Sequence, residues 1–334
     1  MSGRGRKGAT AGAPADSGAG GAGAARGDSL RIRAAWMYFI EQKTQSEISE
    51  ILGIGRVSVI RLLADARARQ EVKITIASEL AEVTELERAL EARFGLSRAL
   101  VAPLASPGAD PTPVIGAAIG GYVADLLAPG MTVGVGWGRT LFASLPHLSA
   151  RPLRDLKVIS LLGGVGVARH FNPAEFAWRF ASLFQGEGYL IPAPALVDSV
   201  ATKTALIERC GLNKVLALAD RLDMVLVSVG SIVSATTFYR GGYLSDREQG
   251  ELAGQGAVGD LLFHFFDREG ALLDHAINQR VMSVDVDRLR RAGRRVLASG
   301  GPDKTEALRG AIALLGPTDL VTDEQTARRL LKAG

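Results

Sequence analysis

The stretch TQSEISEILGIGRVSVIRLL, Thr44 to Leu63, admits few arrangements other than two short helices crossed at a tight turn. Thr44 is placed to cap a helix with Glu47 reaching back from three residues on, and Ile48, Ile51 and Leu52 then share one face. Gly53-Ile54-Gly55 supplies the bend, because glycine tolerates a left-handed backbone and Ile54 can tuck into a small core. A second helix begins near Arg56, with Val59, Leu62 and Leu63 inward and Arg56, Ser58, Ile60 and Arg61 outward. Gly55 stands where a capping serine or threonine is commoner, so this helix start is weaker by a few tenths of a kcal/mol.

That layout predicts a helix-turn-helix whose second helix meets the major groove of duplex DNA. The expected DNA contacts are Thr44, Gln45, Arg56, Val57, Ser58 and Arg61. Of these, Arg56, Ser58 and Arg61 are assigned to the groove, where an arginine bidentate to guanine discriminates by ~1 to 3 kcal/mol. An ordinary helical hairpin with a solvated arginine face is the plainer alternative. A preceding helix, Leu30 to Gln42, offers Ile32, Ala35, Trp36, Tyr38, Phe39 and Ile40 to complete a trihelical core. After the motif, Val72, Ile74 and Ile76 alternate with polar residues, the period of a strand, and could form part of a winged edge.

Composition sets the remaining bounds. The chain has 334 residues, room for two or three domains, and 47% hydrophobic content builds a large core. The formal charge of +4 is modest, and much of the excess lies in the arginines of the tail and head. A single cysteine, Cys210, excludes an internal disulfide framework and points to a reducing cytoplasm. No run of roughly 18 apolar residues appears, and residues 1–28 lack the apolar centre of a signal peptide. Rich in Gly and Ala with Arg4, Arg6, Lys7 and Arg26, this tail is expected to be disordered. A head over 29–78, a linker helix over 79–95 and a body over 96–334 complete the division. In the linker, Leu80, Val83, Leu86, Leu90 and Phe94 form a stripe that needs a partner, either the chain's own body or the same helix of a second subunit. An oligomer is favoured, since two half-sites one helical turn apart call for two heads.

The body alternates short apolar runs with helical segments, as an α/β domain does. Strands are expected over 99–102, 132–135, 158–161, 189–191, 224–229, 296–298 and 320–322. Helices are expected over 114–127, 140–146, 173–184, 199–210, 213–221, 305–315 and 323–332. A small hairpin is expected to pair 263–266 with 271–273 across the turn Asp267-Arg268-Glu269-Gly270. Four glycine-rich segments follow strands: Gly134 to Thr140, Gly163 to Arg169, Gly230-Ser231 and Gly300 to Lys304. Open α/β sheets place ligands at those ends, and glycine amides beside Arg or Lys suit a phosphate or carboxylate. The glycines at 134, 136 and 138 do not fit a dinucleotide fingerprint, and there is no P-loop. His147, His170, His264 and His275 are scattered without ligand spacing, so no metal and no cofactor is expected.

Taken in order, SEISEILGIGRVSVIRLL, GVGWGRT from Gly134, SLLGG from Ser160, GAVGDLLFHFFDREG from Gly256 and LASGGPDKTEAL from Leu297 resemble the SorC family of bacterial sugar-binding transcriptional regulators. The likeness spans about residues 30 to 332. It implies a helix-turn-helix head, winged-helix-like, joined to a Rossmann-like α/β domain akin to phosphosugar isomerases and deaminases. It also implies dimers or tetramers on operators near carbohydrate-utilisation genes. Carried over, Gly136, Trp137, Gly138, Arg139, Thr140, Gly163 and Gly164 would cradle a sugar, polyol or sugar phosphate. Asp260 would accept its hydroxyls, and Lys304 would bind a phosphate or ring oxygen. Arg169 and Arg240 are weaker candidates. Two competing readings remain: a phosphosugar isomerase or deaminase-like enzyme using Asp260 with Lys304 and carrying a DNA head, and a DNA-binding protein whose body serves only assembly.

Overall fold

The reciprocal cap expected at Thr44 is present in the computed structural model, which describes residues 19–72, 81–166, 172–232 and 243–332. Thr44 Oγ1 accepts the Glu47 amide at 3.3 Å, and Glu47 Oε2 accepts the Thr44 amide at 2.7 Å. Contacts divide the chain into two units, 1–76 and 77–334. The first holds α1 (Ala19–Phe39), α2 (Gln45–Leu52) and α3 (Arg56–Ala68). Gly53 takes the left-handed conformation at φ 63° that ends α2, and Ser49 Oγ donates to the Ile54 carbonyl at 2.5 Å to fix the turn. Gly55 begins α3 without a side-chain cap.

The head's core differs from the expected one. It consists of Ala34, Ala35, Ile48, Val59, Leu63 and Ala66, with Met37, Tyr38, Phe39, Leu52, Ile54, Leu62 and Val72 packed around it. Ile32, Trp36, Ile40 and Ile51 remain exposed. The physical reason is phase: residues 32, 36 and 40 fall on a different side of α1 from residues 31, 34, 35 and 38, and a three-helix head packs one side only. The inner side also carries Arg31, held by Asp28 at 2.7 Å and by Glu71, whose carboxylate lies below its ordinary pKa because of that guanidinium. Helix α1 begins at Ala19, within the segment assigned to the tail. The remainder of the tail, and the strand expected after Val72, lie outside the described residues.

In the second unit, α4 (Ala81–Phe94) sets the stripe Val83, Leu86, Leu90 and Phe94 against the body core, packing on β1 and the last helix. The strands β1 (Arg98–Ala102), β2 (Thr132–Val135), β3 (Lys157–Ser160), β4 (Glu187–Tyr189), β5 (Met224–Val227), β6 (Gly230–Ser231), β7 (Gly259–Leu261), β8 (His264–Phe266), β9 (Arg294–Ala298) and β10 (Asp319–Asp323) form two sheets. Seven are parallel, in the order β1-β10-β9-β5-β2-β3-β4, while β6, β7 and β8 make a small antiparallel sheet. Helices α5 (Thr112–Leu126), α6 (Arg139–Phe142) and α7 (Pro173–Leu183) cover one face of the large sheet. The other face is covered by α4, α9 (Leu212–Leu218, after α8, Val200–Arg209), α13 (Thr305–Leu315) and α14 (Glu324–Lys332). Between these lie α10 (Asp246–Gly254), α11 (Ala276–Arg280) and α12 (Val286–Arg290). Cover on both faces explains why β5, MVLV, is buried at every position.

Every strand and helix expected in the body has a counterpart, displaced at most by a few residues. The expected hairpin is present in short form: Phe266 and Leu272 share an antiparallel bridge across the Asp267–Gly270 turn, and the Leu273 and Asp267 amides donate to the Phe265 and Ala271 carbonyls, each at 3.0 Å. A second hairpin, not expected, is β7–β8. Its turn is Leu262-Phe263, both left-handed, φ 51° and 71°, a conformation that side chains without glycine's freedom adopt at a cost. Gly230-Ser231 is likewise a strand of the small sheet and not a loop.

Replacing Thr44 by Ala removes one acceptor of the α2 cap and costs about 1 kcal/mol of head stability, with Thr44→Ser close to wild type. Amide exchange at Ile48 and Leu52 reads the change, and amides of β5 stay unaffected.

Candidate functional site

In the head, the first turns of α2 and α3 open on a depression of about 560 Å³ lined by Tyr38, Gln42, Lys43, Thr44, Gln45, Ser46 and Arg56. Three of the expected DNA contacts, Thr44, Gln45 and Arg56, are thus brought together. Val57 is 80% exposed, Arg61 is exposed and Ser58 is half-buried, so the outer side of α3 is available over its first two turns. The Thr44 hydroxyl is already committed to Glu47, donating to Oε2 at 2.7 Å while accepting the Glu47 amide. What the structure gives that hydroxyl is the helix start. Sequence reasoning misses Gln42 and Lys43, which carry no motif signal but flank the cap.

In the body, the strand order reverses between β2 and β5. Chain order runs outward from β2 through β3 to β4, and on the other side from β5 through β9 to β10. Crevices at such a reversal, outside the carboxyl ends of the strands, are where open α/β sheets hold ligands. Gly136 sits there, its amide donated to the Leu226 carbonyl of β5 at 2.8 Å. Gly138, at φ 120°, then turns the chain into α6, whose first-turn amides lack intrahelical acceptors. Thr140 is buried and Arg139 exposed. Trp137 packs edge-on against Phe263 at 5.4 Å between centroids, which fastens this loop to the β7–β8 turn.

That turn belongs to Asp260. The residue is 6% exposed, and its Oδ2 accepts the Phe263 amide at 3.2 Å. Opposite it in register is Gly230, where a Cβ would overlap Asp260 Oδ1, so the missing side chain makes the room the carboxylate occupies. Burial pushes the Asp260 carboxyl up to about 6, against the pull of the Phe263 amide and Lys304. Lys304 is half-buried, and its Nζ donates to Ser299 Oγ at 3.3 Å. Burial brings its ammonium down to about 8, with Arg139 acting in the same direction and Asp260 and Asp110 opposing. The Gly300–Gly301 loop that carries Lys304 is itself held by Asp323, whose Oδ2 accepts the Gly301 amide at 2.9 Å.

Arg139 at the start of α6, Asp260 in β7 and Lys304 in the turn after β9 therefore lie within one electrostatic cluster. Asp110, in the loop after β1, joins them and is missed in the sequence, where nothing distinguishes it from other loop acids. Burial works to raise its pKa, but the Thr112 amide and hydroxyl, with Arg139 and Lys304, hold it below the usual range. Gly163 and Gly164 fare differently from expectation. Their amides are donated to the carbonyls of Met282 and Ala193, each at 2.8 Å, so they are not available to cradle an anion. A Cβ on Gly163 would stand 2.6 Å from the Ala193 oxygen, and close packing is what requires glycine there. Arg169 and Arg240 lie outside the described residues. Among the described residues there is no grouping of His, Cys, Asp and Glu that could hold a metal, and no helix long and apolar enough to cross a membrane.

The two buried charges make stability depend on pH in a defined way. The native state binds the Asp260 proton more tightly than the unfolded chain, so stability falls as pH rises from about 4 to 6. It releases the Lys304 proton more readily, so stability recovers as pH rises from about 8 toward 10. Between those windows both charges are held at their full desolvation cost. Asp260→Asn keeps the acceptor for Phe263 and removes one charge, and is expected to stabilise the body at pH 7 by on the order of 2 kcal/mol. Urea unfolding at pH 7 and pH 4 tests this, with the gain vanishing at the lower pH.

Residues 78–332 match the family described as "Putative sugar-binding domain". The chain is 31% identical over 308 residues to the erythritol catabolism regulatory protein EryD of Brucella abortus, covering 91% of this chain and 96% of that protein. It is 29% identical over 304 residues to the deoxyribonucleoside regulator of Bacillus subtilis, covering 90% and 97%. Among solved structures, the full-length sorbitol operon regulator SorC of Klebsiella pneumoniae superposes with a TM-score of 0.73 at 27% identity, over 91% of this chain and 98% of that one. A matched family domain over most of the length, near-complete coverage of such relatives and the helix-turn-helix head agree: the chain belongs to the SorC family of sugar-binding transcriptional regulators.

Proposed function

We propose that this chain is an operator-binding regulator of carbohydrate-utilisation genes, governed by a sugar, polyol or sugar phosphate held at the carboxyl ends of the parallel strands. The observation that carries this reading is the convergence of Asp260, Lys304 and Arg139 at the reversal of strand order, in a chain that also carries a helix-turn-helix. An acid that accepts hydroxyls beside cations that bind a phosphate or ring oxygen is the chemistry such an effector needs. Gly136, Trp137, Gly138 and Thr140 form the wall beside them. Gly163 and Gly164 shape the neighbouring strand end, and Arg169 is the remaining proposed contact.

In this reading residues 29–78 are the DNA-binding domain, reached through Thr44, Gln45, Arg56, Val57, Ser58 and Arg61. Residues 79–95 link it to the effector and oligomerisation domain, and the working form is a homodimer or homotetramer in the cytoplasm. Effector binding shifts the assembly and alters the spacing or tilt of paired heads. A coupling of ~1 to 3 kcal/mol changes operator affinity about 5- to 150-fold. The effector is held and its occupancy reported, without chemical conversion. Turnover of ribose-5-phosphate or glucosamine-6-phosphate by the purified chain would contradict that.

Two measurements divide the roles. Arg56→Ala or Arg61→Ala abolishes preference for the chain's own promoter over random duplex and leaves calorimetric binding of the effector intact. Asp260→Ala removes effector binding and leaves promoter binding. A calorimetric panel of sugars, polyols and their phosphates identifies the effector, and a panel without heat would favour a body that serves assembly alone.

A further inference from the structure

Around α3, at ~100° per residue, the outer side runs in the order Arg56, Ile60, Val57, Arg61. Two cations thus border a strip of β-branched apolar side chains, with the small, exposed Ala64 further along it. Val57 is 80% exposed and Ile60 47%, while Val59, Leu63 and Ala66 on the other side are buried. Neither Val57 nor Ile60 reaches the head's core. On an exposed helix surface β-branching costs side-chain freedom, and an unbranched residue would serve the helix better. The arginines of the head divide in the same way. Arg31 is held by Asp28 and Glu71, Arg69 approaches Asp28 at 3.6 Å, and Arg67 lies over the Phe39 ring at 5.2 Å. The guanidinium groups of Arg56 and Arg61, by contrast, form no ion pair or hydrogen bond among the described residues. The cationic margin ends at Asp65, the next exposed charge on that side.

A surface that is cationic at both margins and apolar between them matches the major groove at a thymine. Phosphates and guanine edges suit the arginines, and the 5-methyl group of thymine is the methyl that the groove's base edges present. Val57 and Ile60 stand one turn apart, ~5 to 6 Å between Cβ atoms, against a base step of ~3.4 Å. Both therefore reach methyl groups within three consecutive base pairs. We propose that Val57 and Ile60 read thymine methyl groups in the operator, each half-site carrying thymine within such a stretch beside the pairs that Arg56 and Arg61 contact. The inference rests on the DNA-binding reading of the head and names the base that this helix selects.

The test titrates the full chain against fluorescent duplex from its own promoter, and against the same duplex with deoxyuridine in place of every thymidine. That change removes the methyl groups and leaves base pairing intact, and random duplex made both ways is the reference. The wild type is expected to lose about fourfold in affinity for each methyl removed from an apolar contact. The double variant Val57→Ala, Ile60→Ala, whose alanines favour the helix, is expected to bind both promoter duplexes alike. A wild type that prefers its promoter yet is indifferent to deoxyuridine overturns the methyl reading and leaves DNA binding standing. A loss as large in the double variant assigns the thymine effect to other residues and overturns it too. Equal affinity for promoter and random duplex overturns the DNA-binding reading itself, and this inference with it.

Discussion

Seven strands running in one direction, sheathed by helices on both faces, bring their carboxyl ends to the same side of the body, and the site is built from the loops beyond those ends. The parallel order is possible because each strand is joined to the next by a helical crossover, and β5 is apolar throughout as a consequence. At the reversal between β2 and β5 the backbone of one side is tied directly to the other through the Gly136 amide and the Leu226 carbonyl. The small sheet β6–β7–β8 carries Asp260 into the same cluster through the Gly230 register. Without that register the carboxylate would have neither the room nor the burial that define it.

A buried acid pushed upward and a buried amine pushed downward, near enough to influence each other, describe a site kept at some cost to stability. Such perturbation is concentrated where charge has work to do. Here the acid also restrains the left-handed Leu262-Phe263 turn, and Phe263 in turn meets Trp137 and, at 5.9 Å, Tyr243. A ligand that engages Asp260 thus acts on a turn that is already strained and on an aromatic contact leading into the glycine loop. This is a physical route by which occupancy can change packing beyond the pocket.

The helix-turn-helix is legible in the sequence because capping, glycine placement and apolar spacing agree at short range, and Thr44, Glu47 and Gly53 behave as their chemistry dictates. The strands of the large sheet are legible for a similar reason, as short segments with an apolar centre, such as VLA in β9 and MVLV in β5. Phase and partner are not written locally. Ile32, Trp36 and Ile40 look like core residues by type, and only the packing of α1 through Ala34 and Ala35 puts them outside. The β7–β8 turn carries no glycine, asparagine or aspartate, so turn chemistry announces the Asp267–Gly270 hairpin and passes over the one before it. Gly163 and Gly164 have the composition of an anion cradle, yet their amides are satisfied by Met282 and Ala193. Asp110 becomes visible only once the loop after β1 is brought beside Arg139 and Lys304.

The direct test of coupling between the two units is a titration of the chain against fluorescent duplex from its own promoter, with and without the effector found by calorimetry, in wild type and Asp260→Asn. The effector should move operator affinity by about 5- to 150-fold in the wild type and leave the variant unmoved, both proteins binding the promoter alike in its absence. An equal shift in both, or no preference for the promoter over random duplex in either, would contradict control of the head from the Asp260 site.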